Sequence, residues 1–278
     1  MSTLKIDGAT RLYAIIGNPI AQVRSPQTFS AAFADAGRNA IMLPAQVLPE
    51  QFETSVRGLM ALGNLDGLIV TVPYKARMVA YATRLGDTAR CIGAINALRR
   101  EGDGTWTGDM FDGAGFVTAA RRKGLVLEGR RVALFGAGGA GSAIACALVA
   151  AGAESIAIID PATERADALV AALRGTFPKA DVRRADRVPA GSTMIVNAST
   201  LGMRPGDGLP GELGTLRPDT LIGDVINIDA HSPMIAHALR HGCPYVAGRE
   251  MHAGQGEALC RFFADATPAP AAAAADVH

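Results

Sequence analysis

Apolar and polar positions alternate along this chain in two registers. Residues 12–16, Leu12-Tyr13-Ala14-Ile15-Ile16, form a short apolar run closed by Gly17-Asn18-Pro19, which predicts a strand and a turn. Residues 40–44 and 68–72 repeat the pattern, the second stopped by Pro73. Between them, residues 49–62 carry apolar positions near helical spacing, and Ser25-Pro26 predicts a helix start with Ser at the N-cap and Pro at N1. A second series begins near Gly129: strands over 131–135, 155–159, 193–196 and 220–224, with helices from Ala140 to about Ala151 and over 165–173. Short apolar strands separated by helices predict an α/β fold with parallel sheets covered on both faces.

Composition narrows the function. Of the 278 residues, 49% are hydrophobic and 19% charged, and the formal charge is +1, which suits a folded globular chain of one or two domains. So even a balance excludes the basic excess that nucleic acids and anionic membranes require. Cys91, Cys146, Cys243 and Cys260 are scattered without metal or disulfide spacing, so no metal is expected and a reduced, cytoplasmic setting fits. The charge-free stretch over 132–153 is interrupted by glycines and predicts a strand and a helix, not a membrane span. The N-terminus lacks an apolar signal segment, and the alanine-rich tail over 268–278 is expected to be disordered.

Those interrupting glycines are the first candidate chemistry. Gly136-Ala137-Gly138-Gly139-Ala140-Gly141 follows a predicted strand and opens a predicted helix, the context a dinucleotide-binding turn needs. Gly136 permits the tight turn, Gly138 admits a pyrophosphate and Gly141 lets the helix pack close. The helix N-terminus supplies free N–H groups to phosphate. Asp160 ends the next strand, where a carboxylate accepts from ribose hydroxyls and repels a 2′-phosphate, so NAD is expected ahead of NADP. The plain alternative for Asp160 is a helix N-cap before Pro161, and Arg165 is the residue that would swing to a 2′-phosphate.

Seven motifs then occur in order: Gly17-Asn18-Pro19-Ile20-Ala21, Thr71-Val72-Pro73-Tyr74-Lys75, Gly93-Ala94-Ile95-Asn96, Gly108-Asp109 with Asp112-Gly113, the Gly136–Gly141 turn, Asn197-Ala198-Ser199-Thr200-Leu201-Gly202-Met203, and Gly248-x-x-Met251-x-x-x-Gln255. The set resembles the shikimate/quinate dehydrogenase family over about residues 12–263. The resemblance implies an α/β substrate-binding domain (1–113 plus about 248–267) and a Rossmann NAD(P)-binding domain (114–247) with a cleft between them. It implies hydride transfer between a ring hydroxyl of a cyclic hydroxy compound and the nicotinamide, in a monomer or homodimer. By the same resemblance Lys75 and Asp112 are catalytic, while Ser25, Thr71, Asn96 and Gln255 face substrate. Asn197, Ser199, Thr200, Met203, Val225 and Gly248 lie on the cofactor side. A lysine desolvated in a cleft serves as a base. Read without the resemblance, Lys75 is a solvated lysine and Asp112 a helix cap.

The match breaks at four places. The first Ser of the family's Ser-x-Ser is Val23, an Asn is Ile69, the Thr before the catalytic Asp is Phe111, and a late Tyr is Asn227. In the family the serines and the tyrosine help hold the substrate carboxylate. Losing two hydrogen bonds to a charged group costs ~3–6 kcal/mol, roughly two to four decades in kcat/KM. The expectation is an altered carboxylate pocket that turns over shikimate poorly, with Arg24 as a candidate replacement charge. The competing reading is an NAD(H)-binding sensor or degenerate paralogue without catalysis. His237 and His241 read as a solvated helix face, and His252, beside the Gly248–Gln255 motif, either lines the cleft or serves packing.

Overall fold

The computed structural model describes residues 6–228 and 230–265, so the tail over 268–278 lies outside them. The chain forms two compact units. The first takes residues up to Ala89, Gly93–Asp109 and those from Leu259 onward; the second takes Arg90–Ile92 and Met110–Ala258.

In the first unit the strands are β1 (Arg11–Gly17), β2 (Ala40–Gln46), β3 (Leu65–Val70), β4 (Arg84–Leu85), β5 (Ala97–Arg100) and β6 (Trp106–Asp109). They lie in the order β2-β1-β3-β5-β6-β4. The helices are α1 (Ser25–Asp35), α2 (Phe52–Ala61), entered through a 3-10 turn at Pro49–Gln51, and α3 (Asp87–Ile92), which runs into the second unit. β1, β2 and β3 are parallel as the alternation predicts, but β5 runs antiparallel to both β3 and β6. This half of the expected all-parallel fold is therefore a mixed sheet. The reason is local: β5 and β6 are joined by a short turn, which allows only a hairpin. Leu65, Leu68, Val70, Phe52, Val56, Met78 and Leu98 fill one face. Tyr13, Phe29, Phe33 and Phe263 form an aromatic cluster, with Tyr13–Phe33 and Tyr13–Phe263 centroids 4.6 and 5.0 Å apart.

The second unit holds α4 (Asp112–Arg122), β7 (Arg131–Phe135), α5 (Gly139–Ala150), β8 (Ser155–Ile159), α6 (Thr163–Thr176), β9 (Asp181–Arg184), β10 (Met194–Asn197), β11 (Leu221–Asp224), α7 (Pro233–Arg240), β12 (Tyr245–Val246) and most of α8 (Gly248–Ala264). All six strands are parallel, in the order β12-β11-β10-β7-β8-β9. That order reverses between β7 and β10, as in a doubly wound nucleotide-binding sheet. The central strands β7, β8 and β10 are nearly all apolar because helices cover both faces, whereas the edge strand β9 buries Val182 alone. Helix α5 is apolar all round because α4 covers the side the sheet does not, with Gly113 against the Ala143 carbonyl. No described helix is long and apolar enough to cross a membrane.

Candidate functional site

Residues at the ends of β1, β3 and β5 meet in the first unit. The Thr71 N–H donates to the Ile16 carbonyl at 2.9 Å and the Asn18 N–H to the Val72 carbonyl at 3.0 Å, so the loops after β1 and β3 are tied together. The Val70 N–H donates to the Asn96 carbonyl at 2.8 Å, and the Ile95 N–H to the Lys75 carbonyl at 3.0 Å. These four bonds bring the backbones of Thr71, Lys75 and Asn96 to one end of the sheet. Tyr74 is the anchor between them: fully buried, it stacks on Phe52 at 4.5 Å and its hydroxyl donates to the Val47 carbonyl. Asn96 is buried, and Thr71 and Lys75 are half-buried.

Val23 and Ser25 sit half-buried in the next connection, with Arg24 between them. The N-cap of α1 is Arg24, not Ser25, and no side chain caps it. Ser25 is already helical and is relieved of that backbone duty. Ile69 lies inside β3, opposite Ile15 and Ala97 in the ladder and 5% exposed.

In the second unit Asp112 opens α4, but the N-cap is Phe111 and no side chain caps that end either. The bland capping reading of Asp112 therefore fails. Its buried carboxylate instead accepts a hydrogen bond from Gln255 Nε2 at 2.5 Å. Glycines make this reach possible. A Cβ on Gly115 would come within 2.6 Å of the Met251 carbonyl oxygen, and Gly254 is equally close to Gly115, so α4 and α8 cross at backbone distance. Gly248 similarly abuts the Ile226 carbonyl, while His252, one turn before Gln255, is exposed. Phe111 is half-buried beside Asp112.

The glycine turn lies where the sheet order reverses. Gly136 has φ +96°, and a Cβ there would stand 2.8 Å from the Ala198 carbonyl carbon. Gly141 packs against the Gly136 carbonyl, leaving no room for a methyl group. Both requirements are internal to the protein. Gly138 differs: its φ is an ordinary −76°, and a Cβ there would meet nothing within 4 Å. A glycine that the protein itself does not need, at the N-cap of α5, fits a site kept clear for a phosphate group. Ala137, Gly139 and Ala140 complete the turn.

Asp160 is held in place by this turn. Its Oδ2 accepts from the Ala137 N–H at 2.8 Å, and its Oδ1 from the Ala162 N–H at 2.8 Å and from Arg165 at 3.0 Å. The N-cap of α6 is Ala162, so the alternative reading of Asp160 as that helix's N-cap does not hold. Burial opposes its charge, but the two N–H donors and Arg165 outweigh it and hold the carboxyl below the usual range.

Asn197 and Asp224, neighbours in the β10–β11 ladder, form a buried polar pair that the motifs only half reveal. Asn197 Nδ2 donates to Asp224 Oδ1 at 3.1 Å and to the Leu201 carbonyl at 2.9 Å, while its Oδ1 accepts from Ser199 N–H and Oγ–H at 3.1 and 2.7 Å. Asp224 also accepts from the Ile226 N–H and from Ser232, which caps α7 through the Ile235 N–H. Burial pushes the Asp224 carboxyl up to about 6 against these hydrogen bonds. The turn beyond leaves Thr200 and Met203 exposed and Val225 half-buried. Asp224 and Ser232 escaped the sequence reading; the one available signal was a carboxylate ending an otherwise apolar strand. The ring of His237 on α7 and that of His241 at its C-cap lie 4.3 Å apart. Among the described residues no group of three or more His, Cys, Asp or Glu side chains is placed to hold a metal ion.

The chain is similar to known proteins. Residues 15–98 match the shikimate dehydrogenase substrate binding domain. The shikimate dehydrogenase (NADP(+)) of Rubrobacter xylanophilus is 38% identical over 275 residues, covering 96% of this chain and 95% of that protein. The shikimate 5-dehydrogenase of Listeria monocytogenes, solved with shikimate and NAD, superposes with a TM-score of 0.85 at 27% identity over 95% of each chain. A 5-ketofructose reductase of Gluconobacter superposes at 0.81 with 26% identity, over 93% of this chain and 94% of that one. The chain belongs to the shikimate dehydrogenase family of nicotinamide-dependent oxidoreductases.

Proposed function

We propose that this protein transfers hydride between NAD and a ring hydroxyl of a shikimate- or quinate-like cyclic compound held without the family's usual carboxylate contacts. The observation that carries the reading is the buried Asp112 carboxylate fixed by Gln255. A buried carboxylate costs free energy unless it is well bonded, and a pure nucleotide binder gains nothing from keeping one.

The first unit, with Thr71, Lys75 and Asn96 gathered at one sheet end, is the substrate-binding unit. Lys75 takes or returns the hydroxyl proton as the hydride moves, the work of a general acid–base group. Asp112 accepts a hydrogen bond from a substrate hydroxyl, with Gln255 setting which of its oxygens is engaged. Ser25, Thr71 and Asn96 supply polar contacts to the ring. Val23, Ile69 and Phe111 replace polar residues with apolar ones, so the end of the substrate they meet is less charged or is held elsewhere, with Arg24 the nearest cation in sequence.

The second unit takes the dinucleotide, which supplies the hydride acceptor when bound. Gly136–Gly141 receives its pyrophosphate at the start of α5. Asp160 selects NAD. Three donors already fill three of its roughly four acceptor positions, leaving one for a ribose hydroxyl. A 2′-phosphate instead meets an ionised carboxylate that also engages Arg165, 59% exposed and the nearest cation. The curated relative carries NADP(+) in its name, so the Asp160 contacts make a discriminating claim. Asn197, Ser199, Thr200, Met203, Val225 and Gly248 lie on the nicotinamide side.

The test is steady-state turnover with NAD and with NADP, against shikimate, quinate and ring analogues lacking the carboxylate. The reading expects NAD ahead of NADP and an analogue ahead of the two acids. NADP preference removes the role given to Asp160. Shikimate turnover on the scale of dedicated enzymes removes the altered pocket.

A further inference from the structure

We propose that Asp224 is a positioning residue: by accepting from Asn197 it sets the conformation of the turn over 197–203, and through that turn the affinity for the dinucleotide. The first half stands on the hydrogen bonds alone; the second rests on the reading that this turn faces the nicotinamide.

The argument is one of donor and acceptor matching. The Asp224 carboxylate presents only acceptors to its surroundings. Ile226 N–H and Asn197 Nδ2 share its Oδ1, and Ser232 takes its Oδ2. An Asn side chain opposite a carboxylate must therefore turn its NH2 toward it and its carbonyl away. That choice decides the rest of the turn. The second amide hydrogen reaches the Leu201 carbonyl at 2.9 Å, and the carbonyl receives both Ser199 donors. Ser199 Oγ in turn accepts from the Leu201 N–H at 3.2 Å. Five hydrogen bonds thus depend on the orientation of one amide, which the Asp224 acceptor fixes together with the Leu201 carbonyl and the Ser199 N–H. With that acceptor gone, the Asn197 amide keeps its orientation only through the turn's own bonds to Leu201 and Ser199, and the turn is held less tightly.

Nothing in this arrangement requires Asp224 to touch a ligand. It is completely buried, with Asn197, Ile226 and Ser232 on its two oxygens. Its second link runs through Ser232 to the first turn of α7, so the same carboxylate holds the entry of that helix.

The experiment compares Asp224→Leu, which matches the shape and removes the acceptors, with Asp224→Asn, which keeps Oδ1 for Asn197 and Ile226. The direct readout is amide hydrogen exchange at Ser199 and Leu201 without cofactor. Asp224→Leu should exchange at least about tenfold faster at both, while Asp224→Asn stays within about threefold of the unsubstituted protein. The second readout is NADH affinity by calorimetry. Asp224→Leu should bind about tenfold more weakly, with the KM for the organic substrate changed by less than about twofold, and Asp224→Asn should recover most of the loss. If Asp224→Leu does not fold, Asp224→Ala removes the same acceptors without adding apolar bulk. Unchanged exchange in the folded variant overturns the proposal. So does an Asp224→Asn protein as impaired as Asp224→Leu. Altered exchange in a protein that never binds NADH, with or without the substitution, leaves the positioning of the turn standing and overturns the nucleotide reading instead.

Discussion

Gly138 and Gly141 differ by three positions and should fail in opposite ways. Gly138→Ala places a methyl group in open space at an extended backbone position with φ −76° and ψ −174°. At an N-cap, alanine costs up to about 1 kcal/mol relative to glycine. Restricting the unfolded chain returns about 0.4–1 kcal/mol. The net change in stability is within about 0.5 kcal/mol, roughly 2 °C in Tm for a chain of this size. Gly141→Ala drives a methyl group into the Gly136 carbonyl oxygen, with the carbonyl carbon 3.0 Å away and the Ala198 Cβ at 3.3 Å. Backbone cannot rotate aside, so the cost lies at the upper end of the overpacking range, about 3 kcal/mol, or roughly 6–12 °C. For cofactor the ranking is different. The Gly138 methyl occupies space argued to be kept for the pyrophosphate and displaces one or two charge-assisted hydrogen bonds, about ten- to a hundredfold in NADH affinity. Thermal unfolding and NADH titration of both variants give the answer. A Gly138→Ala protein with unchanged NADH affinity refutes the phosphate account, and a Gly141→Ala protein with unchanged Tm refutes the packing account.

Lys75→Ala should lower kcat by about two to four decades, the usual contribution of a general acid–base group, with NAD affinity within about twofold; retained turnover removes Lys75 from the chemistry. Asp160→Asn sets an NH2 against one of the N–H donors of Ala137 and Ala162, which costs about 1–3 kcal/mol in urea unfolding. The same substitution should raise kcat/KM for NADP relative to NAD, and an unchanged ratio shows that Asp160 does not discriminate. Asp224 predicts a pH dependence of stability. Its folded value of about 6 lies above the ordinary 3.8, so between those values the native state binds more protons than the unfolded chain. Stability from this group therefore falls as pH rises through that window, by about 3 kcal/mol in all. Asp224→Asn removes the slope, so it should gain about that much on the unsubstituted protein in urea unfolding between about pH 4 and about pH 7. A difference independent of pH contradicts the cause assigned to the shift.

The sequence by itself determined the elements that local chemistry specifies. Four apolar residues before a glycine turn make β7 and the start of α5 legible, because the strand is buried on both faces and the turn has steric needs that only glycine meets. The run at 155–159 is legible through the same burial, the run at 40–44 through its buried first three residues alone, and the ordered motifs give the family. Local pattern could not supply whatever depends on which strand lies beside which. β4 and β12 are two residues long, too short to carry a period. The antiparallel β5 and β6 have the composition of any short strand, and their direction follows from the hairpin that joins them. Asp224 reads as a polar strand end until the sheet order sets it opposite Asn197 and helices cover it. Asp112 reads as a helix cap until α4 and α8 cross on glycines and Gln255 reaches it from 143 positions away. Asp160 shows the division within one residue. Its place after the second strand of the unit was readable, whereas its grip on the Ala137 N–H exists only because parallel strands carry both turns to the same edge. Charge, spacing and periodicity travel with the chain; burial and hydrogen-bond partners belong to the packed sheet.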